Sequence, residues 1–323
     1  MVPYQIDVPV LLIFFTRTDI FSKVFEQVKI AKPSKLFLYQ DGPRDGKAGD
    51  LENILKCRAV AEDIDWDCEV HKFYQSRNFG CDPSEFIAQK WAFSMVDRCI
   101  VLEDDDVPSQ SFFPFCRELL ERYKDDERIN MICGLNHLGV SAGNPYDYLF
   151  SSTGSITGWA SWRRVIDTWE EHYDFVDDEY AMSLIRRLPK YMQMSEEEIS
   201  AAECHRKEKK AYYESIFGAS CRLNSRLNIV PTKNMISNIG FGADQTHPQE
   251  WDLMPKALRN IFYMKTHEIE FPLRHPKYVV CDIDHVNGVN RILGRGHFMV
   301  NQMRRIECRF IRFVQAVSKI MGH

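Results

Sequence analysis

The chain has 323 residues, a net charge of −5, and 45% hydrophobic and 27% charged residues. This composition is typical of a globular protein with room for one large α/β domain or two smaller ones. The acidic balance argues against a nucleic-acid-binding protein. Ten cysteines are scattered without a CxxC pair or zinc-type spacing, which indicates a reducing compartment rather than a disulfide framework.

Membrane-spanning and secreted classes are also disfavoured by the sequence. No segment reaches the roughly 18–20 apolar residues that a membrane-spanning helix needs. The apolar run Val8–Phe15 has no basic region before it and no small-residue cleavage site after it, so we interpret it as a first strand. We therefore expect the protein to be cytoplasmic.

Short apolar runs alternate with helical segments along the first half of the chain. The repeat of about 30 residues is the βαβ signature of a parallel sheet. The predicted strands are Val8–Phe15, Lys35–Gln40, Cys68–Tyr74, Cys99–Leu102 and Ile129–Leu135. We predict an α/β fold with a mainly parallel central sheet flanked by helices.

The fourth predicted strand runs directly into four acids, Glu103 to Asp106. Like charges this close repel each other unless a cation or basic groups neutralise them. Parallel α/β sheets bind ligands at the carboxyl ends of their strands, and Mg²⁺ or Mn²⁺ is suited to oxygen ligands. The sequence thus favours a metal and phosphate site, the alternative being a solvated acidic turn before the helix near Ser109.

The other predicted strands also end in polar side chains. These are Thr16 and Arg17, Asp41 and Arg44, and Arg77 and Asn78. Each pair alone is explained by turn chemistry, but on one rim they describe a nucleotide pocket. No GxGxxG follows the first strand and no GxxxxGK[ST] occurs, which disfavours the Rossmann dehydrogenase and P-loop classes.

The second half of the chain offers three further candidates. Trp159, with Trp162, presents an apolar face on which a sugar ring can stack, or else belongs to the core. Glu214 lies where a charged helix enters apolar surroundings, so it is either a base with a raised pKa or a salt-bridged glutamate. His247 follows a Gly/Asn-rich loop, where a structural histidine is commoner than a ligand.

The last stretch, 298–321, has apolar residues at helical spacing beside five basic residues. Such a basic amphipathic helix can lie on an anionic membrane surface or dock on its own domain. We assign residues 1–250 to one domain, with a nucleotide-binding half at 1–136 and an acceptor and catalytic half at 137–250. Residues 251–323 form a C-terminal helical extension.

The motifs together resemble a known family. The order TR, DGPR, SRNFG and LEDDD at successive strand ends looks like a GT-A-fold glycosyltransferase, a nucleotide-diphospho-sugar transferase. VLEDDDVPSQSFFPFCRELLERY is similar to the metal-site segment of N-acetylglucosaminyltransferase I-like enzymes. ITGWASWRR and NMISNIGFGADQTH look like bacterial polysaccharide sugar transferases. The resemblance covers residues 8–247.

The resemblance implies roles for individual residues at the donor site. Thr16 and Arg17 would border the nucleotide, and Asp41 would contact its base or ribose. The remaining donor and metal contacts that it implies are Arg44 and Arg77 to phosphate or ribose, Trp159 to the sugar, Asp104 and Asp106 as the D-x-D acids with Asp106 on Mn²⁺ or Mg²⁺, and His247 to the metal or phosphate.

The resemblance also implies a reaction. A hexosyl or N-acetylhexosaminyl group would pass, with inversion, from a nucleotide-diphosphate donor to a hydroxyl of a glycan or lipid-linked acceptor in surface polysaccharide synthesis. Glu214 would be the base, although Tyr213 stands where the family has Trp; Asp177 and Asp178 are the fallback bases. The alternatives are a sugar-nucleotide pyrophosphorylase and a non-catalytic carbohydrate-binding protein.

Overall fold

The computed structural model describes residues 6–241, 254–295, 299–300, 302–304, 306–309 and 311. Its main feature is an eight-stranded sheet with the strand order β3-β2-β1-β4-β8-β6-β9-β7. Six of these strands run in one direction, and β8 and β7 run against them. The predicted α/β class with a mainly parallel sheet is confirmed.

The strands are β1 (Val10–Phe14), β2 (Lys35–Gln40), β3 (Glu69–Tyr74), β4 (Arg98–Glu103), β5 (Asp106–Pro108), β6 (Ile129–Cys133), β7 (Tyr148–Ser151), β8 (Trp159–Trp162), β9 (Leu227–Pro231) and β10 (Ile236–Asn238). The helices are α1 (Thr18–Ala31), α2 (Asp50–Ala61), α3 (Cys81–Met95), α4 (Phe112–Arg122), α5 (Arg163–Ile166), α6 (Glu179–Ile185), α7 (Glu196–Glu208), α8 (Tyr213–Leu223), α9 (Lys256–Arg259) and α10 (Ile283–Leu293), with a 3-10 turn at Asp174–Asp177.

Helices cover both faces of the sheet, which explains why its central strands are apolar throughout. In β1, Val10, Leu12 and Phe14 point into one core, and Leu11 and Ile13 point into the other. Helices α1, α2 and α4 supply the first core, whereas α3 and α8 supply the second. A strand buried on both faces reads as a continuous apolar run, as β1 does.

The order of the strands creates a crevice between β1 and β4. The chain leaves β1 through α1 to pair with β2 on one side, and it returns from β3 through α3 to pair with the other side of β1. Open α/β sheets bind ligands at such a switch point, outside the carboxyl ends of the strands. The residues after β1 and β4, Arg17 and Asp104 to Asp106, therefore meet at the crevice.

Beyond the five strands of the first half, the sequence predicts a strand in 149–162 and another at the start of 227–242, where β7 and β9 lie, but it does not predict β5, β8 and β10. β5 and β10 form a separate two-stranded antiparallel sheet, and β8 inserts antiparallel between β4 and β6. The predicted helix at 298–321 lies mostly outside the described residues. Among the helices that the structure describes, none combines the length and the apolar character needed to cross a bilayer.

Candidate functional site

The candidate site begins with an arginine among three aspartates in the crevice. The Arg17 guanidinium donates to Asp104, and its Nη2 lies 2.9 Å from Asp105 Oδ2. Burial and neighbouring acids would leave this cluster unstable without a cation, and the pKa of Arg17 is raised by Asp104 and Asp105 in spite of its burial. Arg17 therefore supplies positive charge that partly neutralises the run of acids from Glu103 to Asp106.

The three aspartates are not equivalent. Asp106 is 1% exposed; its Oδ2 accepts from the amides of Gly158 at 2.8 Å and Glu103 at 3.3 Å. The Asp105 side chain is 11% exposed, against 7% for Asp104. Asp106 thus ties β4 to the loop before β8, and Asp105 is the carboxylate closest to solvent.

Asn238, on β10, completes the cluster. Its amide nitrogen lies 2.9 Å from Asp105 Oδ1 and 3.3 Å from Asp106 Oδ1, and its oxygen accepts from the Gly240 amide. Sequence reasoning missed Asn238 because the contact depends on pairing β10 with β5 across 132 positions. The only signal was its place in the Gly/Asn-rich stretch SNIGFG.

Gly240 lies so close to the cluster that a side chain has no room. A Cβ at this position would overlap the Asp105 carboxylate and meet Arg17 Nη1 at 3.1 Å. We expect Gly240→Ala to displace Asp105 and to weaken binding of the expected nucleotide-sugar donor at least tenfold. Gly218→Ala is the matched control, because a Cβ there meets nothing within 4 Å in a helix and should stabilise the fold by about 0.5–1 kcal/mol. Isothermal titration and urea unfolding of both variants test this; equal ligand binding in the two would contradict it.

Asp41 organises the loop after β3. Its carboxylate, 6% exposed, accepts from the amides of Gly42, Phe79 and Gly80 and from the Asn78 side chain, all within 3.1 Å. A carboxylate offers about four lone-pair sites, so these donors use its capacity. Asp41 therefore holds this loop in place. Its carboxylate has no acceptor site left for the expected contact with a base or ribose.

The remaining donor-site candidates lie on the same edge of the sheet. Arg44 forms a bidentate pair with Asp50 at 2.8 Å for both bonds and lies over the Phe15 ring. Arg77 is exposed and lies over the Phe79 ring, 4.6 Å from its centroid. Thr16 is half-buried after β1. Arg77 is therefore the cation on this edge best placed to meet a phosphate.

The prediction that Trp159 stacks on a sugar is wrong for this conformation. Trp159 is 0% exposed, and its ring packs against Phe93, Tyr213 and Phe217. Trp162 is also buried, with its indole nitrogen donating to the Leu120 carbonyl. These two residues lie on β8, which β4 and β6 enclose, and so the alternative of a core pair holds.

Glu214 lies in the first turn of α8, the helix that packs against α3. Its side chain is exposed, yet partial desolvation and the nearby charge of Asp82 raise its pKa, while Arg295 opposes this rise. The fallback acids differ: Asp177 pairs with Arg206, and Asp178 caps α6 by accepting from Ala181. Among the described residues, Glu214 neither pairs with an arginine nor caps a helix, unlike these two acids.

A pair of acids, Glu85 and Glu103, lies deeper than Glu214. Burial raises the pKa of Glu85 to about 8, against a hydrogen bond from Cys81. Burial and Glu85 raise the pKa of Glu103 well above its usual range. Sequence reasoning missed Glu85, because only the packing of α3 against β4 brings it toward the acidic cluster.

The raised pKa of Glu85 predicts a loss of stability at alkaline pH. The unfolded-state pKa of Glu is about 4.3, so the contribution of neutral Glu85 is complete below that value and is lost as the pH rises through about 8. The unfolding free energy should fall between about pH 4.3 and about pH 8 and then level off, and it should fall less in Glu85→Gln. Urea unfolding of both proteins in EDTA measures this; parallel profiles would contradict the assignment.

The carboxylate oxygens of this cluster suit a hard divalent cation chemically, but they do not form a closed coordination cage. Within the described ranges, no group of three or more His, Cys, Asp or Glu side chains is arranged to hold a metal ion. Mg²⁺ is, however, commonly bound by one or two carboxylates together with water and substrate phosphates. Asp105 and Asp104 fit that partial role. His247 lies outside the described residues.

Comparison with protein-family models gives no match, and neither does comparison with curated proteins. Similar solved structures include a cytidylyltransferase from Leptospira borgpetersenii (9% identity, TM-score 0.32, 55% of this chain and 65% of that one). Others are the galactosyltransferase LgtC with donor and acceptor sugar analogs (9%, 0.30, 61% and 70%) and UDP-glucose pyrophosphorylase complexed with UDP-glucose (9%, 0.35, 72% and 94%). Similarity this low supports no argument about activity, and the fold class stands on the sheet topology itself.

Proposed function

We propose that the protein is a glycosyltransferase that moves a sugar from a nucleotide-diphosphate donor to an acceptor hydroxyl with inversion. The observation that carries the proposal is the cluster of Arg17, Asp104 and Asp105 at the switch point of the sheet. A sugar nucleotide brings a diphosphate, which needs cationic partners there. Of the described residues, Arg17 and Arg77 are the cations that we expect to meet it.

A divalent cation, Mn²⁺ or Mg²⁺, is part of this proposal. Asp105, with Asp104, would hold it, and Asp106 would keep their loop in place through the Gly158 amide. When bound, the ion would neutralise charge on the leaving diphosphate. His247 stays a proposed third protein ligand on sequence grounds. We rank Asp105 above Asp106 because its carboxylate is nearer to solvent.

Glu214 is the proposed base. It would accept the proton of the acceptor hydroxyl as that oxygen attacks the anomeric carbon opposite the leaving diphosphate. Its raised pKa makes the carboxylate a stronger base than an ordinary glutamate. Asp82, in the first turn of α3, acts on Glu214 through its charge, which helps to raise the pKa of Glu214.

The pH dependence of transfer follows from these charges. Since the base acts as a carboxylate, kcat/KM should rise with pH through the pKa of Glu214. Asp82→Asn removes a charge that raises this pKa, so the acid limb should move to lower pH; Arg295→Gln should move it to higher pH. pH–rate profiles of the three proteins measure the shifts. Shifts of the same sign in both variants would contradict the assignment of Glu214.

Donor binding can be tested before the acceptor is known. A panel of nucleotide sugars, with and without Mn²⁺, should contain a donor that raises the melting temperature, because a ligand that binds only the folded state stabilises it by mass action. Arg17→Gln should lose that shift. A shift that Arg17→Gln retains in full would remove the crevice as the donor site.

The pyrophosphorylase alternative makes a different prediction. Such an enzyme releases a nucleoside triphosphate when pyrophosphate is added to the sugar nucleotide, whereas a glycosyltransferase releases a nucleoside diphosphate. The segment after β1 reads FTRTD and contains no glycine, so it lacks the flexible backbone that we would expect to cradle a triphosphate. Triphosphate release would favour the pyrophosphorylase.

We also propose membrane contact through 298–321, near a glycan or lipid-linked acceptor of surface polysaccharide synthesis. Of the described residues there, Met299, Met303 and Ile306 are 70%, 67% and 64% exposed. Arg304 instead faces the body, with its Nη2 donating to the Arg291 carbonyl at 3.1 Å. An apolar face turned to solvent supports the lipid alternative over docking on the domain.

A further inference from the structure

The segment between Tyr180 and Tyr191 exposes large apolar side chains in a place that the proposed chemistry does not use. Tyr180, Leu184 and Tyr191 are 71%, 45% and 36% exposed. Tyr180 and Leu184 are four residues apart on α6 and so share one face. The other face of α6 holds the segment on the body through the buried Met182 and Ile185. Residues 180–191 therefore form an anchored surface that points outward, which we call the tyrosine–arginine patch.

Within residues 180–191 every charged side chain is basic, and the exposed acids Glu179 and Glu196 border the segment. Arg186, Arg187 and Lys190 are exposed among the apolar residues, and no acid occurs from Tyr180 to Ser195. Arg186 lies 3.6 Å from Glu196, and Arg187 donates to the Ser183 carbonyl of its own helix. Tyrosine at the headgroup level and cations toward anionic lipid are the features of an interfacial membrane surface.

The position of the patch relates it to the candidate base. The 3-10 turn before α6 packs on α7, and α7 packs on α8. Arg206 of α7 fixes this turn by pairing with Asp174 and Asp177. Glu214 stands in the first turn of α8. The patch thus belongs to the same group of packed helices as Glu214.

We propose that the tyrosine–arginine patch binds an anionic lipid surface, independently of the C-terminal helix. A second copy of the chain fits less well, because a two-fold contact through this patch would bring two basic surfaces together. The lipid binding does not depend on the proposed reaction. Only its consequence, a base held toward a lipid-linked acceptor, rests on the proposed glycosyltransferase activity.

Flotation of the full-length protein with vesicles tests the proposal. We expect binding to phosphatidylglycerol–phosphatidylethanolamine vesicles and little binding to phosphatidylcholine alone. Because each cation near an anionic surface is worth about fivefold in partitioning, Arg187→Gln with Lys190→Gln should reduce binding roughly 25-fold. Tyr180→Ser with Leu184→Ser should also reduce it.

The control is a second exposed surface with leucines and a lysine, located on another helix. Leu51 and Leu55 on α2 are 60% and 53% exposed beside Lys56, and Leu51→Ser, Leu55→Ser and Lys56→Gln together should leave flotation unchanged. Unchanged binding in the patch variants, with loss only in Met303→Ser, would overturn the proposal and leave the C-terminal contact standing. The proposal would also be overturned if sedimentation showed that the wild type is a dimer and that the patch variants are monomers. Release of nucleoside diphosphate from the donor, measured without vesicles, should be the same in all variants, which separates this proposal from the reaction.

Discussion

Asp105→Ala is expected to reduce sugar transfer by about 10²–10³, because it removes the most exposed of the three aspartate carboxylates in the crevice. The variant should also lose the response to Mn²⁺, while its folding stays close to that of the wild type. Asp105 accepts one bond from Asn238 and one from Arg17, and Asp104 remains to hold Arg17. Initial rates at varied Mn²⁺ concentration and a melting temperature for each protein measure both effects.

Two further variants make this result specific to the crevice. Asp65→Ala changes an exposed acid between α2 and β3, at the opposite edge of the sheet, and should leave the rate unchanged. Asp106→Asn should lower the melting temperature, because its amide has one oxygen where Asp106 has two, so either the Gly158 amide or the Asn238 amide nitrogen loses its acceptor in a buried place. If Asp105→Ala keeps full activity with full dependence on Mn²⁺, Asp105 is not a ligand.

Glu214→Gln is expected to lower kcat by about 10²–10⁴ with little change in donor affinity. Glutamine keeps the size of the side chain and cannot accept the proton of the acceptor hydroxyl. Single-turnover transfer together with calorimetric titration of the donor separates the two quantities. Stability should hold or rise slightly, because the raised pKa shows that the charged form is disfavoured there.

Glu203→Gln, on the exposed face of α7, is the matched control and should be silent. A large kcat loss in Asp177→Asn or Asp178→Asn, with an active Glu214→Gln, would transfer the role of base to that residue. The first of these variants also breaks the ion pair with Arg206, so its melting temperature must be measured beside its rate.

Local pattern explains how much of the fold could be read from the sequence. The bounds of β2 agree with the prediction, and β1, β3, β4 and β6 differ by a few residues at their ends. These strands are continuous apolar runs because helices cover both faces of the sheet. β5 and β10 have three residues each and pair with each other over a long sequence separation, so no periodic pattern in the sequence predicts them.

The candidate site divides in the same way. Arg17 and the aspartates were predicted because they follow predicted strands, and parallel strands bring their carboxyl ends to one edge. Asn238, Gly240 and Glu85 depend on contacts between distant segments, which single-sequence reasoning does not supply. Trp159 was misjudged because tryptophan suits both a sugar platform and a core, and only burial separates the two.

The most direct test of the glycosyltransferase assignment is nucleoside diphosphate release from a panel of nucleotide sugars in Mn²⁺, with pyrophosphate present or absent. We expect slow diphosphate release from one donor without pyrophosphate, faster release when an acceptor is added, and loss of both in Asp105→Ala and Glu214→Gln. Release of nucleoside triphosphate only when pyrophosphate is added, or no release from any donor, would contradict it.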